Sequence, residues 1–274
     1  MTLEQLPVCG FGRYLSPLGG ETHACGLSVV VLQHHLNMRQ RLHGGMAMSL
    51  QQMAFTRTVA ALRSEPGEAP RLLSMNCELL DTAVLGAKVT AFASVTRITR
   101  SLTFLTGGLR ENKRQLMSAS AVFSREEPAP DATCIAVPPD RFDGFTPFKP
   151  LDPFCADISG IHERCDADGR RVGAVVVEQA HLDAFGGAEA DNGLLLWMAD
   201  IFEGRAARTA VQHPCVTLNM NIVKIAPVHR GDLLEIQANV EGQSRSTVSV
   251  AGHFSAAGRT VMSARSVWKI LGAR

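Results

Sequence analysis

His35-Leu36-Asn37, five further residues and then His43-Gly44-Gly45 open an apolar, helix-like run. The phrase returns 146 positions later as His181-Leu182-Asp183, which leads into Asp191-Asn192-Gly193 and a second apolar run. An ordered repeat of this kind reports one structural unit copied in tandem, and the differences between the copies are where function is to be sought.

The echo extends in both directions. Val29-Val30-Val31 answers to Val175-Val176-Val177, Gly86 to Gly231, and Arg100-Ser101 to Arg245-Ser246. Residues 116–123 read against 261–268 with four of eight pairs identical. The offset drifts between 145 and 148, which small loop insertions explain.

Each copy carries the same order of signals. A β-branched stretch (27–32, 172–177) precedes a polar loop and then a helical segment (45–63, 193–210). Met46, Leu50, Met53 and Ala54 fall on one helical face. The second helix has Leu194, Leu195, Leu196, Trp197 and Met198 in a row, which predicts burial on most sides. Four strands follow in each copy, at 71–80, 87–98, 101–110 and 114–125, and at 214–225, 232–243, 245–256 and 259–271, with short polar or glycine turns between them. Five or six strands with one long helix make an α+β unit, a curved antiparallel sheet wrapped around that helix. The expected organisation is an N-terminal unit at 1–127, a Pro-rich linker at 128–152 and a C-terminal unit at 153–274.

The chain has 274 residues, 46% of them hydrophobic and 19% charged, with a formal net charge of +1. That suits globular units that each bury a core, and it argues against nucleic-acid binding, which needs a strongly basic face. No apolar run approaches the roughly 20 residues of a membrane-spanning helix, and residues 1–10 do not read as a signal peptide. The seven cysteines are scattered without a CxxC pair, as expected for free thiols in a cytoplasmic protein. His34-His35, or His23 with Cys25, has no further ligand cluster at metal spacing, so no metal is expected.

The strand, the H-L-N-x(5)-H-G-G phrase, the helix and the four strands together resemble hotdog-fold acyl-CoA thioesterases of the phenylacetate-pathway type. The tandem arrangement and Met198-Ala199-Asp200 are also similar to acyl-CoA thioesterase II. The resemblance implies a tandem (double) hotdog fold whose units pair with sheets joined and helices side by side. It implies active sites between the units, one supplying a glycine N–H at its helix start and the other a helix carboxylate. It further implies an acyl thioester substrate, on coenzyme A or alternatively on a carrier protein, with no cofactor beyond the coenzyme A of that substrate, and chains that pair as a dimer.

The residues carry chemistry of their own. Glycines at a helix start allow close approach and leave unpaired N–H donors, the groups an oxyanion needs. A plain glycine turn is the alternative. The resemblance places the carboxylate nine residues after the motif histidine. In copy one that position is Gln52, whose amide is no general base. Copy two has Asp191-Asn192-Gly193 in place of H-G-G but keeps the acid, Asp200. A carboxylate on so apolar a helix is costly unless it has a task or a partner, and Arg205 is the bland candidate partner.

The halves therefore complement one another. Asn37, His43, Gly44 and Gly45 from copy one are expected to meet Asp200 from copy two in one complete site. There Asp200 would act as general base on water or as nucleophile through an acyl anhydride, Gly45 N–H would polarise the carbonyl, and Asn37 and His43 would orient thioester or water. Asp191, Asn192, Gly193 and Gln52 would form a degenerate second site. Thr217 and Asn219, matched to Ser74 and Asn76, are candidates to hold water or the carboxylate. Arg100 and Arg245 are candidates for the phosphates of coenzyme A. Hotdog dehydratases or hydratases, and a silent binding or scaffold protein, are the rival readings.

Overall fold

A β-branched stretch enters each copy as a strand, and a buried histidine turns the chain from that strand toward the helix. The computed structural model describes residues 21–23, 26–62, 70–124, 142–156, 158, 160–166, 170–182 and 189–272. The N-terminal segment, residues 125–141 with most of the expected linker's prolines, and Asp183 lie outside them. In chain order the strands are β1 (Glu21–His23), β2 (Gly26–Val30), β3 (Arg71–Leu79), β4 (Lys88–Ile98), β5 (Leu102–Glu111), β6 (Arg114–Ser124), β7 (Thr146–Pro147), β8 (Ile161–Cys165), β9 (Arg171–Val176), β10 (Cys215–Lys224), β11 (Leu233–Gln243), β12 (Thr247–Ala256) and β13 (Arg259–Ile270). The two long helices are α1 (Gly44–Ala61) and α2 (Asn192–Val211).

The conspicuous histidines of the repeat are structural. Gln33–His35 and Gln179–His181 each form one 3₁₀ turn. In each, the histidine Nδ1 accepts a backbone N–H, from Leu32 at 3.1 Å and from Glu178 at 3.0 Å. The histidine carbonyls then receive the N–H of His43 and of Asp191, both at 2.9 Å, and so deliver the chain to the helix starts. Burial pushes His35 down to about 4, with His34 adding to the shift, so its ring is neutral. Gly86 and Gly231 recur for a different reason. Both have positive φ (80° and 90°), a conformation that other residues adopt at a cost.

The thirteen strands form one sheet, in the order β1-β2-β4-β5-β6-β3-β10-β13-β12-β11-β9-β8-β7. Its two halves run in mirrored order from the antiparallel β3–β10 junction, where Asn76 pairs with Asn221 and Cys77 with Met220. Strands such as β13 bury alternate residues, as expected of a sheet with one covered face. Helix α1 lies on β2 to β6, and α2 lies on β9 to β13. The helices also pack against each other, and Ser49 Oγ lies 2.7 Å from Gly45 O and 3.0 Å from Gly193 O at that contact. Leu194 to Ala199 are all buried. Where α2 presses on the sheet, a Cβ on Gly173 would stand 2.2 Å from the Phe202 ring.

The junction register corrects one expectation. β3 skips a residue between Leu72 and Ser74, and β10 does so between Thr217 and Asn219. Matching these bulges aligns Thr217 with Leu72, Asn219 with Ser74 and Asn221 with Asn76. The sequence matching is two residues out: it uses an offset of 143, whereas the bulges give the 145 that Gly86 and Gly231 share. β7, β8 and a one-turn helix, Pro153–Ala156, were not legible in the sequence.

Candidate active site

His43 is the N-cap of α1, and its Nδ1 accepts the Gly45 N–H at 3.0 Å. The same N–H donates across the helix pair to Asp200 Oδ2 at 2.7 Å. Thr217, at the start of β10, donates its hydroxyl to Asp200 Oδ1 at 2.8 Å. His43 Nδ1 stands 3.4 Å from Asp200 Oδ2. The donor end of copy one and the acid of copy two, 155 residues apart in sequence, thus meet. Asp200 is 6% exposed and His43 4%. Burial raises the cost of an ionised Asp200, and its hydrogen bonds offset that cost. Arg205, the bland candidate, is occupied elsewhere. It pairs with Glu163, donates to Lys149 O at 2.6 Å and covers the Phe148 ring at 4.2 Å.

Gly44 shows why a glycine stands here. A Cβ would lie 3.0 Å and 3.2 Å from the Asp200 carboxylate oxygens and 3.3 Å from Leu79 Cδ2. Gly44, not Gly45, lines the adjoining cavity of about 970 Å³. Asn37, His43, Asp152, Asp200 and Thr217 are among its polar lining residues, and Leu109, Leu116, Met117, Ile201 and Trp268 are among its apolar walls. Apolar walls combined with polar groups are what a small-molecule site requires.

Several expected residues are placed differently. Asn37 lines the cavity, but its Oδ1 receives the N–H of Arg39 (2.9 Å) and of Arg41 (3.2 Å), so it holds a turn. Gly45 N–H is spent on Asp200 and His43. Asn219 spans the sheet junction, donating to Asn76 Oδ1 and Cys77 O. Arg100 and Arg245 sit in the β4–β5 and β11–β12 turns and are not among the cavity residues; Arg39, Arg41, Arg208 and Lys269 are. The Arg39-x-Arg41 pair inside the quoted loop was the overlooked signal.

At the second helix start, Asp191 caps Gly193 N–H at 2.6 Å, while Gln52 is buried and donates to Thr56 Oγ1 at 2.7 Å. Asn192 Oδ1 is buried with no hydrogen-bond partner among the described residues. Gln52, Asn192 and Gly193 do not line the cavity.

Two buried acids escaped sequence reasoning. Asp152 lines the cavity, accepts the Met38 N–H and lies 3.7 Å from His43 Nε2. Burial works against its ionisation, but His43, the Met38 N–H and Arg208 together hold it below its ordinary range. Glu203, one turn after Asp200, is fully buried. It accepts the Ser266 hydroxyl, which in turn accepts the Trp268 indole N–H at 2.6 Å. Burial pushes Glu203 up to about 8, against the Ser266 hydrogen bond and with help from Asp200 and Glu241.

Comparison with known proteins agrees with this architecture. A family model described as acyl-CoA thioesterase N-terminal domain matches residues 32–124. One described as thioesterase superfamily matches 192–263. No curated protein matches the chain. Among solved structures, a putative thioesterase from Novosphingobium aromaticivorans is similar, with TM-score 0.71 and 15% identity over 94% of this chain and 100% of that one. The tesB protein of Mycobacterium avium subspecies paratuberculosis has TM-score 0.68 and 12% identity over 95% and 99%. The acyl-CoA thioesterase II TesB2 of Mycobacterium marinum has TM-score 0.66 and 13% identity over 94% and 97%. With thioesterase models matching on either side of the sheet junction, the chain belongs to the hotdog-fold thioesterase superfamily.

Proposed function

We propose that the protein hydrolyses acyl thioesters of coenzyme A at one composite site between two hotdog units, each built around its own long helix. The observation that carries this reading is the hydrogen bond from Gly45 N–H to Asp200, which joins the retained half of each copy. Asp200 acts as general base. Held at one oxygen by Gly45 and at the other by Thr217, it takes a proton from water as the water oxygen bonds to the thioester carbon. The carbonyl oxygen becomes an oxyanion facing the N-terminus of α1. There Gly44, the first helical residue and a cavity residue, has an N–H with no intrahelical partner. Collapse of the tetrahedral adduct breaks the C–S bond, and the proton held by Asp200 passes to the departing sulfur.

Arg39, Arg41, Arg208 and Lys269 suit the phosphates of coenzyme A, and the apolar walls suit the acyl chain. The neighbour called acyl-CoA thioesterase II supports the same substrate class. The test is a panel of acyl-CoAs with release of free thiol followed spectroscopically. The parent should turn over at least one member, and Asp200→Asn should lose about 10²- to 10⁴-fold in kcat. Full turnover by Asp200→Asn would refute the assignment, and no turnover of any thioester would favour a silent binding protein.

A further inference from the structure

The connector between the halves does not only tether them. Phe148 packs on Trp197 and Phe202 of α2, and Arg205 grips it by its ring face and by Lys149 O. A few residues on, the connector reaches the other half. Phe154 is 1% exposed, donates its N–H to Leu36 O at 3.3 Å and sets its ring 5.2 Å from that of His43. Asp152 lies between these anchors, 7% exposed, with one oxygen on the Met38 N–H and the other facing His43 Nε2 at 3.7 Å.

We propose that Asp152 is the positioning residue of His43 and that the connector thereby completes the active site. The two ring nitrogens have different partners. Nδ1 accepts the Gly45 N–H, so in neutral His43 the proton sits on Nε2, the nitrogen that Asp152 faces. An anionic Asp152 stabilises that tautomer and opposes a ring flip. A flipped or Nδ1-protonated ring would no longer share the Gly45 N–H, and would turn a C–H or an N–H toward Asp200 Oδ2, 3.4 Å away, altering the hydrogen bonding of the base. The charged groups acting on this pair are both from α2: Asp200, 3.4 Å from His43 Nδ1, and Arg208, which acts on Asp152. The arrangement is independent of anything the repeat carries, because Asp152 has no place in either copy's motif. Its significance for turnover rests on the thioesterase reading; its effect on the His43 ring does not.

Two measurements separate these levels. Long-range ¹H–¹⁵N NMR of the full chain, with His43→Gln to assign the signal, reads the tautomer and titration of His43 directly. The parent should show the Nε2–H tautomer. In Asp152→Asn, which retains an acceptor for the Met38 N–H, the titration midpoint should fall by about one pH unit. An Nδ1–H tautomer in the parent, or an unchanged midpoint in the variant, overturns the proposal whether or not the protein is active. In the acyl-CoA assay, Asp152→Asn should lower kcat about 10²-fold with KM little changed, and should shift the pH profile of kcat/KM. Loss of kcat with an unmoved profile would make Asp152 a packing residue and refute the positioning role. A parent without turnover would refute the thioesterase reading and leave the NMR result to decide this one.

Discussion

Glu203 gives the protein a built-in dependence of stability on pH, and Glu203→Gln should abolish it. The carboxyl is fully buried, its Oε2 accepts from Ser266, and its Oε1 has no hydrogen-bond partner among the described residues. A Cβ on Gly252 would lie 2.4 Å from that Oε1, so the strand packs directly against the carboxyl. Burial pushes the folded value from 4.5 up to about 8. Between those values the unfolded chain releases a proton that the folded chain keeps. Stability from this group is therefore fully present below about pH 4.5 and falls as pH rises, levelling off above about 8. The slope is at most about 1.4 kcal/mol per pH unit, and across the window the loss is at most about 5 kcal/mol. Glutamine has nearly the same shape and no proton to lose. Urea denaturation of parent and Glu203→Gln between pH 5 and 8 isolates the term, since every other titrating group is common to both. The difference should grow with pH in favour of the variant. Parallel pH dependences for the two proteins would show that Glu203 ionises in the fold and would refute the reasoning.

Gly44→Ala should place a methyl 3.0 Å from Asp200 Oδ2 and against Leu79, pushing the base off its two hydrogen bonds. The expected result is a loss of about 1–3 kcal/mol in stability from overpacking, read by thermal melting, and a fall in kcat far larger than that loss explains. Gln52→Ala removes only an internal bond to Thr56 at a helix position outside the cavity, so the acyl-CoA assay should read kcat within about twofold of the parent, at a stability cost of about 1–3 kcal/mol.

Much of the scaffold was legible because local pattern dictates local structure. Apolar periodicity placed α1 and α2 within a few residues of their observed ends, and β-branched runs placed the strands similarly. The two lesions, Gln52 where an acid belongs and Asp191-Asn192 where His-Gly belongs, needed only the repeat to be seen. Other features were hidden for physical reasons. Asp152 sits between Leu151 and Pro153 in a proline-bearing stretch without periodicity, and nothing local distinguishes a carboxylate facing a histidine from one facing water. Arg100 and Arg245 share a repeat position because they occupy equivalent turns, outside the cavity lining. The matching of Thr217 with Ser74 fails because polar residues recur two apart along β10, so the pattern fits at either register; the paired bulges select the offset of 145 that Gly86 and Gly231 share. Asn37 read as a ligand-facing amide, yet the turn N–H groups of Arg39 and Arg41 claim its oxygen.

By itself, then, the sequence determined the unit, its duplication and the positions at which the two copies differ. Those are properties of contiguous residues. Whether the retained elements meet depends on long-range pairing. Antiparallel pairing of β3 with β10 and the packing of α1 on α2 bring Gly45 N–H to within 2.7 Å of Asp200. The tertiary structure also decided which glycine faces the cavity, and it brought an acid of the connector to the motif histidine, because burial and hydrogen-bond partners exist only once the two halves have joined.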